Sequence, residues 1–423
     1  MKKWMILFLA GAALLMFTAG PAMAGAFRIP ECGATAMGQG NAFVGQADNP
    51  TAVHHNPAAI TGLEGVQITA GMTMITPESE FESDTLGTSG SADKETFYPP
   101  YFFYANQIGD SDWFLGFGVN APFGLGTNWD ENAPFNYYFR TFVTSSTPVD
   151  IVTETTLEIA KIAPVAAYRV NDQFSVGFGP EYYDVQKVVY KGGSTDGADN
   201  GWDYEMEGNG DGLGFVLSGL YQASDSLRVG FTWHSGVTAG LSGDAFLFPD
   251  SGGAPFTGPA NVDLNIPDAM ALGISYRITD SFSMNLDLDQ TQWSDYDKLE
   301  FKENDGTVIR TITKDYEDVL AVRVGGQYKV NDEWTLRAGF YTEPSPVIEE
   351  TYDPRLPGAD STGITVGVGY DVESWAVNVA YMALSKDDRQ VDSDEPNPLI
   401  DDIFDGTYKT NIDLIGMDVT FRF

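Results

Sequence analysis

Residues that could carry acid–base or metal chemistry are few in this chain. It has three histidines and a single cysteine, Cys32, so no disulfide framework and no metal site built from several cysteines can form. His234 is the only histidine in a strand-like segment, and no serine–histidine–aspartate set stands out. We therefore expect neither an enzyme nor a cofactor, although a lipid hydrolase that uses His234 stays open as an alternative.

Apolar side chains are concentrated in a long loop, where contact with water would normally favour polar ones. The loop covers residues 120–142 and also contains Pro122 and Pro134. Such a loop predicts either a groove for a hydrophobic ligand or a self-packed cap. The loop residues that we place in a candidate ligand site are Phe123, Leu125, Trp129, Phe135 and Phe139.

Two basic side chains are candidates for binding a carboxylate. Lys161 and Arg323 lie on the polar side of alternating segments, several residues before the turns at Asn171 and Asn331. A cation away from bulk water can hold a carboxylate ligand through charge-assisted hydrogen bonds. Salt bridges to neighbouring carboxylates are the alternative, and we expect them more often because buried charges are usually neutralised within the protein.

The charge balance excludes one class of partner. Asp and Glu number 60 against 23 Lys and Arg, for a formal net charge of -37. Nucleic-acid affinity comes mostly from Lys and Arg contacts with phosphate, so no nucleic-acid partner is expected. Many carboxylates cluster in loops such as residues 387–402, where solvated charge is the simplest reading and divalent cations that bridge to anionic lipid are the alternative.

The first 24 residues predict a secretory signal. Lys2 and Lys3 precede an apolar stretch that ends near Phe17, and Ala22-Met23-Ala24 forms a small-residue cleavage site. Cleavage after Ala24 would leave 423 − 24 = 399 residues. No later stretch approaches the roughly 18 apolar residues of a transmembrane helix. Membrane residence must therefore come from strands.

Hydrophobicity alternates with period two along most of the remaining chain. From Leu320 to Val330, apolar residues occupy one parity and small or polar residues the other. Very short turns such as Asn171-Asp172 and Asn331-Asp332 alternate with long Gly/Asp/Pro-rich segments, which is the asymmetry of outer-membrane barrels. We predict an all-β transmembrane antiparallel barrel of about fourteen strands. The predicted starts lie near residues 65, 96, 111, 150, 173, 211, 226, 267, 281, 316, 333, 361, 374 and 408.

The two ends of the mature chain, residues 25–64 and the last strand, also fit a barrel. Residues 25–64 are small, polar and turn-rich without sustained alternation, which predicts an N-terminal hatch, or plug, inside the lumen of a barrel formed by residues 65–423. A lumen enclosed by fourteen strands is too wide for side chains alone to fill. The last strand ends on Phe423, which resembles the signal read by the outer-membrane barrel assembly machinery.

Several short motifs resemble the FadL family of outer-membrane transporters for long-chain fatty acids and other hydrophobic compounds. Their order and spacing cover the whole mature chain. They are Gly25-Ala26-Phe27, Gly38-x-Gly40-x-Ala42-x-x-Gly45, Asn56-Pro57-Ala58, Asn265-Ile266-Pro267, Gln292-Trp293-Ser294 and Trp334-x-Leu336-Arg337-x-Gly339.

The resemblance implies a monomeric outer-membrane barrel without a water-filled pore. Hydrophobic ligand would enter a groove among the outer loops, reach an inner site, and leave sideways into outer-membrane lipid through a gap beside a kinked third strand. It places Asn56, Pro57 and Ala58 along the inner site and makes Phe27 an aromatic that moves on ligand release. Long-chain fatty acids are the expected substrate, with aromatic hydrocarbons as the alternative and a general porin as a weaker one.

Overall fold

The computed structural model describes residues 26–137, 152–195, 201–247, 249, 255–392 and 403–423. The predicted signal sequence and the candidate site residue Phe139 lie outside these ranges. The described strands are β1 (Val66–Ser83), β2 (Ser89–Ser91), β3 (Pro100–Gln107), β4 (Trp113–Asn128), β5 (Val152–Arg169), β6 (Phe174–Thr195), β7 (Gly201–Ser224), β8 (Leu227–His234), β9 (Val237–Leu247), β10 (Phe256–Ile266), β11 (Ala269–Arg277), β12 (Phe282–Thr291), β13 (Lys298–Lys302), β14 (Val308–Thr313), β15 (Val319–Lys329), β16 (Trp334–Glu343), β17 (Ser361–Val372), β18 (Trp375–Lys386), β19 (Arg389–Val391) and β20 (Gly406–Arg422).

Fourteen of the strands in the described ranges close an antiparallel barrel, as the alternation predicted. Their order around the ring is β1, β3, β4, β5, β6, β7, β8, β11, β12, β15, β16, β17, β18 and β20. The ring closes where β20 pairs with β1, from Gln67 opposite Arg422 to Ser83 opposite Gly406. Large apolar side chains such as Ile364, which is 62% exposed, face outwards from the wall.

Asparagine side chains fix the short turns at one end of the barrel. The Asn171 Oδ1 accepts a hydrogen bond from the Phe174 N–H at 2.9 Å, and the Asn331 Oδ1 accepts one from the Trp334 N–H at 2.8 Å. Such side-chain bonds to the backbone stabilise tight turns. We call this the lower end of the barrel and the end with the long connections the upper end.

One strand starts far from its predicted position. The sequence placed the start of β7 near residue 211, but β7 begins at Gly201 because its upper part pairs with β6 and β9. Segments predicted as long loops also contain strands outside the ring. These additional upper strands are β2, β9, β10, β13, β14 and β19.

An N-terminal segment, residues 26–63, lies inside the barrel. It contains two short helices, α1 (Ala34–Met37) and α2 (Ala52–His55), and a 3₁₀ helix, Pro57–Gly62. The Ala34 N–H donates to the Asp418 carboxylate of β20 at 2.8 Å, and the Ala58 N–H donates to the Ser218 hydroxyl of β7 at 2.9 Å. Because these strands are separated around the ring, the segment spans the lumen.

Glycines on the inner wall allow the backbone of the segment to approach closely. A Cβ atom on Gly325 would lie 2.1 Å from the Gln39 carbonyl oxygen, and one on Gly273 would lie 2.6 Å from the Gly45 nitrogen. No larger residue fits at these two positions without a shift of the backbone. Other wall glycines in similarly close contact with the segment are Gly177, Gly230 and Gly339.

No helix in the described ranges is long and apolar enough to cross a bilayer.

Candidate ligand-binding site

An apolar cavity lies above the N-terminal segment, between the barrel wall and the additional upper strands. Some of the residues that line this cavity are more than a hundred positions apart in the sequence. Phe27, at the start of the segment, contributes to the lining. Other apolar and aromatic lining residues are Leu125, Leu157, Val188, Val189, Tyr190, Met206, Leu241, Val262, Leu264, Tyr296, Leu299, Phe301 and Leu356.

Aromatic rings hold Phe27 in place at this cavity. Its ring centroid lies 4.8 Å from that of Trp293, 5.4 Å from that of Tyr296 and 5.9 Å from that of Phe123. The Trp293 and Tyr296 contacts are edge-to-face, an arrangement that adds about 0.5–1.5 kcal/mol per pair beyond burial of area. The three rings that bury Phe27 therefore either line the cavity, as Tyr296 does, or lie next to it.

Three charged side chains border the same apolar cavity. The Asp353 carboxylate accepts from the Arg355 Nε at 2.8 Å and lies 3.4 Å from the Lys314 Nζ. Burial alone would raise the pKa of Asp353, but Arg355 and Lys314 hold that pKa below its usual value. Burial lowers the pKa of Lys314. Lys314 and Arg355 therefore both contact Asp353 at the edge of a largely apolar space.

A polar cavity lies on the other side of residues 27–30. Arg28, next to Phe27 in sequence, donates to Asp289 at 3.0 Å and to the Thr291 hydroxyl at 2.7 Å. Arg323 also contacts Asp289 at 3.2 Å and reaches Glu343 at 3.2 Å. The predicted carboxylate-binding Arg323 is therefore in salt bridges with wall carboxylates, which is the alternative that the sequence left open.

The second predicted cation, Lys161, is also neutralised inside the barrel. Its Nζ lies 2.6 Å from the Glu181 carboxylate and 3.0 Å from the His54 Nδ1. Both Lys161 and Glu181 are almost fully buried. Neither Lys161 nor Arg323 lines the apolar cavity, so the structure does not bring them together with Phe27 around one ligand.

All three histidines of the chain meet beside this polar cavity. The ring centroids of His54 and His234 are 5.6 Å apart, and those of His54 and His55 are 5.0 Å apart. Burial lowers the pKa of His55 to about 4 and holds the pKa of His54 well below its usual value. In the described part of the chain, His234 hydrogen-bonds to Glu181 and to no serine or threonine hydroxyl. Glu181 therefore bonds to both His234 and Lys161 in this cluster.

The Asn-Pro-Ala motif fastens the N-terminal segment to itself and to the wall. The Asn56 Nδ2 donates to the Val44 carbonyl at 3.0 Å and to the Gly219 carbonyl at 3.2 Å. Its Oδ1 accepts from the Ala58 N–H at 3.2 Å, which caps the 3₁₀ helix. Asn56, Pro57 and Ala58 are fully buried and lie outside the lining of the apolar cavity.

The predicted aromatic loop residues divide between two places. Phe123 and Leu125 lie on β4 and face the apolar interior. Trp129 and Phe135 are fully buried in an upper cluster with Phe81, and the Trp129 Nε1 donates to the Pro354 carbonyl at 3.0 Å. In the described residues this upper cluster has the form of a packed cap.

The wall has a gap beside the third strand of the ring, β4. Pairing between β3 and β4 stops where Phe102 faces Val119, and above this point β4 pairs with β5 on its other edge, with a bulge between Asn120 and Phe123. From Asn120 to Asn128, this edge of β4 does not pair with β3, and we call it the wall gap. Within it, the Ile29 N–H donates to the Pro122 carbonyl at 2.8 Å and the Gly124 N–H donates to the Phe27 carbonyl at 2.9 Å.

Sequence comparison decides the family. Residues 15–423 match the family described as outer membrane protein transport protein (OMPP1/FadL/TodX). The chain belongs to this family. FadL/TodX proteins are outer-membrane transporters of hydrophobic compounds, so this chain is a bacterial outer-membrane protein of that kind, and the resemblance seen in its motifs is confirmed.

Individual members of the FadL/TodX family are distant relatives. The long-chain fatty acid transport protein of Escherichia coli (strain K12) is 24% identical over 396 residues, with 82% of this chain and 86% of that protein covered. A solved Pseudomonas aeruginosa FadL homologue gives a TM-score of 0.80 at 20% identity, covering 94% and 100% of the two chains. The P. putida toluene transporter TodX gives 0.72 at 16% identity, covering 93% and 98%. At these identities, the structural matches support the fold.

The charged residues at the apolar cavity were missed by the sequence reasoning. Lys314 and the Asp353-Pro354-Arg355 run lie in connections that looked like solvated acidic loops. The available signal was the presence of isolated cations in loops where acidic residues dominate. Many carboxylates lie near a cation in such loops, so the spacing of residues in the sequence does not identify which carboxylate the cation pairs with.

Proposed function

We propose that this protein takes up long-chain fatty acids passively through the apolar cavity. The observation that carries the proposal is the pairing of two cations, Lys314 and Arg355, with one carboxylate, Asp353, at the edge of that cavity. A long apolar tail gains free energy by leaving water for the cavity. A carboxylate head would lie beside the Lys314 ammonium group and would form charge-assisted hydrogen bonds there.

The N-terminal segment acts as a hatch in this proposal. Phe27 closes the bottom of the apolar cavity, and its neighbour Arg28 ties it to Asp289. Release of Phe27 from its aromatic neighbours would open the cavity towards the wall gap, because the backbone of residues 27–29 is what occupies the β4 edge. Ligand would then leave sideways into lipid and would not cross an aqueous pore.

The test is a comparison of a fatty acid with its uncharged ester in purified protein. We expect Lys314→Gln to weaken oleate binding at least tenfold and to leave methyl oleate binding within about twofold, because the ester lacks the charge that Lys314 recognises. Lys298→Gln is the matched control, since Lys298 is exposed and pairs with Glu300. Equal affinities of both proteins for oleate would contradict the assignment of the head-group site.

A second candidate is uptake of aromatic hydrocarbons. The observation that favours it is the aromatic character of the cavity region. Trp293 and Tyr296 pack edge-to-face against Phe27, and Tyr316 packs edge-to-face against both of them. In that case toluene would bind more tightly than oleate and Lys314→Gln would change neither affinity. A general porin would instead give steady single-channel conductance in planar bilayers, which our proposal predicts to be absent from the intact protein.

A further inference from the structure

Two separate parts of the chain cover the wall gap. One is the N-terminal segment, through residues 27–29. The other is the connection between β2 and β3, residues 92–97, which crosses above the start of β3 and reaches the upper end of β4. We call residues 92–97 the strap.

On the β4 side, the strap is held by few contacts. The Asp93 N–H donates to the Asn128 carbonyl at 2.8 Å, and the Asn128 Nδ2 donates to the Asp93 carboxylate at 2.7 Å. The Phe97 ring lies over Gly126, where a Cβ atom would be 2.2 Å from the ring. Glycine at position 126 is what allows the ring to rest directly on the edge of the gap.

On the β1 side, the strap is held more firmly. Phe97 and Ile75 exchange two backbone hydrogen bonds, both 2.9 Å long. The Thr96 and Thr76 hydroxyls are 3.2 Å apart, and Lys94 pairs with Glu78. The strap is therefore attached to β1 by a backbone bridge at Phe97 and by side-chain contacts, and we expect its contacts with β4 to separate at lower free-energy cost.

Proline explains why the wall does not simply continue across this place. Pro99 and Pro100 follow the strap, and Pro122 lies at the bulge of β4. Proline has no amide hydrogen, so these residues cannot donate the bonds of a regular ladder between β3 and β4. The gap is thus built into the sequence, and it is closed by segments that can separate from β4 without breaking the ring.

We propose that the strap is a second lateral closure, with Phe97 as its gate residue. Ligand leaves through the wall gap when the strap parts from β4 and stays on β1. This inference rests on the proposed function, because it needs a hydrophobic ligand that exits through the wall. It assigns to the strap a role separate from that of Phe27, which controls access to the gap from inside the barrel.

The experiment locks each edge of the strap with a disulfide in a Cys32→Ser background. The Asp93→Cys/Asn128→Cys pair fastens the strap to β4, and the Thr76→Cys/Thr96→Cys pair fastens it to β1. The side chains of each pair are in direct contact. Uptake of labelled oleate is measured in cells that lack their own fatty acid transporter, before and after reduction, and oleate binding is measured on purified protein.

We expect the oxidised lock to β4 to lower uptake at least tenfold, with recovery on reduction and with oleate binding unchanged. The lock to β1 should leave uptake near that of the Cys32→Ser parent. If the oxidised Asp93→Cys/Asn128→Cys protein takes up oleate as fast as a parent that binds and transports oleate, the gating role of the strap is wrong. The proposed function would not be affected by that result. A parent that neither binds nor carries oleate would overturn both.

Discussion

The lower and upper halves of the lumen are held together by different interactions. In the lower half, wall groups bond to the backbone of the N-terminal segment, as Asp287 does with the Phe43 and Val44 N–H groups at 2.6 and 2.8 Å. In the upper half, apolar side chains from many strands surround the cavity, and polar contacts are confined to its edge. Directional bonds fix one register, whereas apolar contact is non-directional.

This difference separates the two tasks of a hydrophobic transporter. A segment that closes the barrel must occupy one position, so geometric specificity is useful there. A cavity that accepts flexible hydrocarbon chains of varied shape works better without directional partners. The following predictions test this division.

The largest effect is expected where the segment touches the wall most closely. In Gly325→Ala the new Cβ would lie 2.1 Å from the Gln39 carbonyl oxygen, so the segment must shift, at a cost of about 3 kcal/mol. We expect the barrel to assemble and single-channel conductance to appear in planar bilayers. Gly219→Ala is the control, because its Cβ would have no neighbour nearer than 3.8 Å. A closed Gly325→Ala protein would show that the contact does not determine docking.

A smaller effect is expected from the loss of one wall carboxylate. Asp287→Ala leaves the Phe43 and Val44 N–H groups without their acceptor and should weaken docking of the segment by about 2 kcal/mol. Faster hydrogen exchange at these two amides, measured by mass spectrometry, would report the change. Asp332→Ala, in an exposed turn, is the control. Unchanged exchange in Asp287→Ala would contradict a docking role for this carboxylate.

The sequence predicts the strands of the barrel more completely than it predicts the residues of the candidate site. Strands such as β15 and β16 follow from strict alternation next to an Asn-Asp turn, because a half-buried wall imposes period two. The predicted strand omits the upper part of β7 although Trp202, Tyr204 and Met206 alternate with acidic residues there. The reason is that Gly208 and Gly210, which pack against a neighbouring backbone, interrupt the apolar parity just before residue 211.

The candidate site was harder because its residues come from connections far apart in the chain. The apolar loop predicts a ligand-site role for Leu125 and the family resemblance predicts one for Phe27, and both residues line the cavity. Lys314 and Asp353 meet only through the three-dimensional arrangement of two upper connections, which no local pattern encodes. Lys161 and Arg323 were assigned to the correct face of their strands, but parity does not reveal which buried carboxylate each one meets.

A pH change should loosen the lower half selectively. Burial raises the pKa of Glu31 to about 7, with Arg323 opposing and Glu343 adding to the shift. A released segment would have an ordinary glutamate near 4.5, so docking is most favourable at low pH and weakens as pH rises through about 7. Between pH 6 and 8 the loss should be roughly 1 kcal/mol.

Limited proteolysis of the segment as a function of pH measures this effect. We expect cleavage within residues 26–63 to increase from pH 6 to pH 8 in the parent protein and to increase less in Glu31→Gln. The upper cavity provides the internal comparison, because ligand affinity there should not follow the titration of Glu31. A pH dependence of the same size in Glu31→Gln as in the parent would assign it to another group.

The smallest effect should come from the bond that joins the upper cap to the cavity edge. The Trp129 Nε1 donates to the Pro354 carbonyl, and Pro354 lies between Asp353 and Arg355. Trp129→Phe keeps an aromatic ring but removes this bond, which contributes about 0.5–1 kcal/mol. We expect oleate affinity in purified protein to fall a few-fold and methyl oleate affinity to stay the same, because the bond positions the charged edge and not the apolar lining. An equal loss of affinity for both ligands would mean that Trp129 acts through the shape of the cavity. That result would contradict the distinction between a hydrogen-bonded edge that recognises the carboxylate and an apolar lining that recognises the hydrocarbon chain.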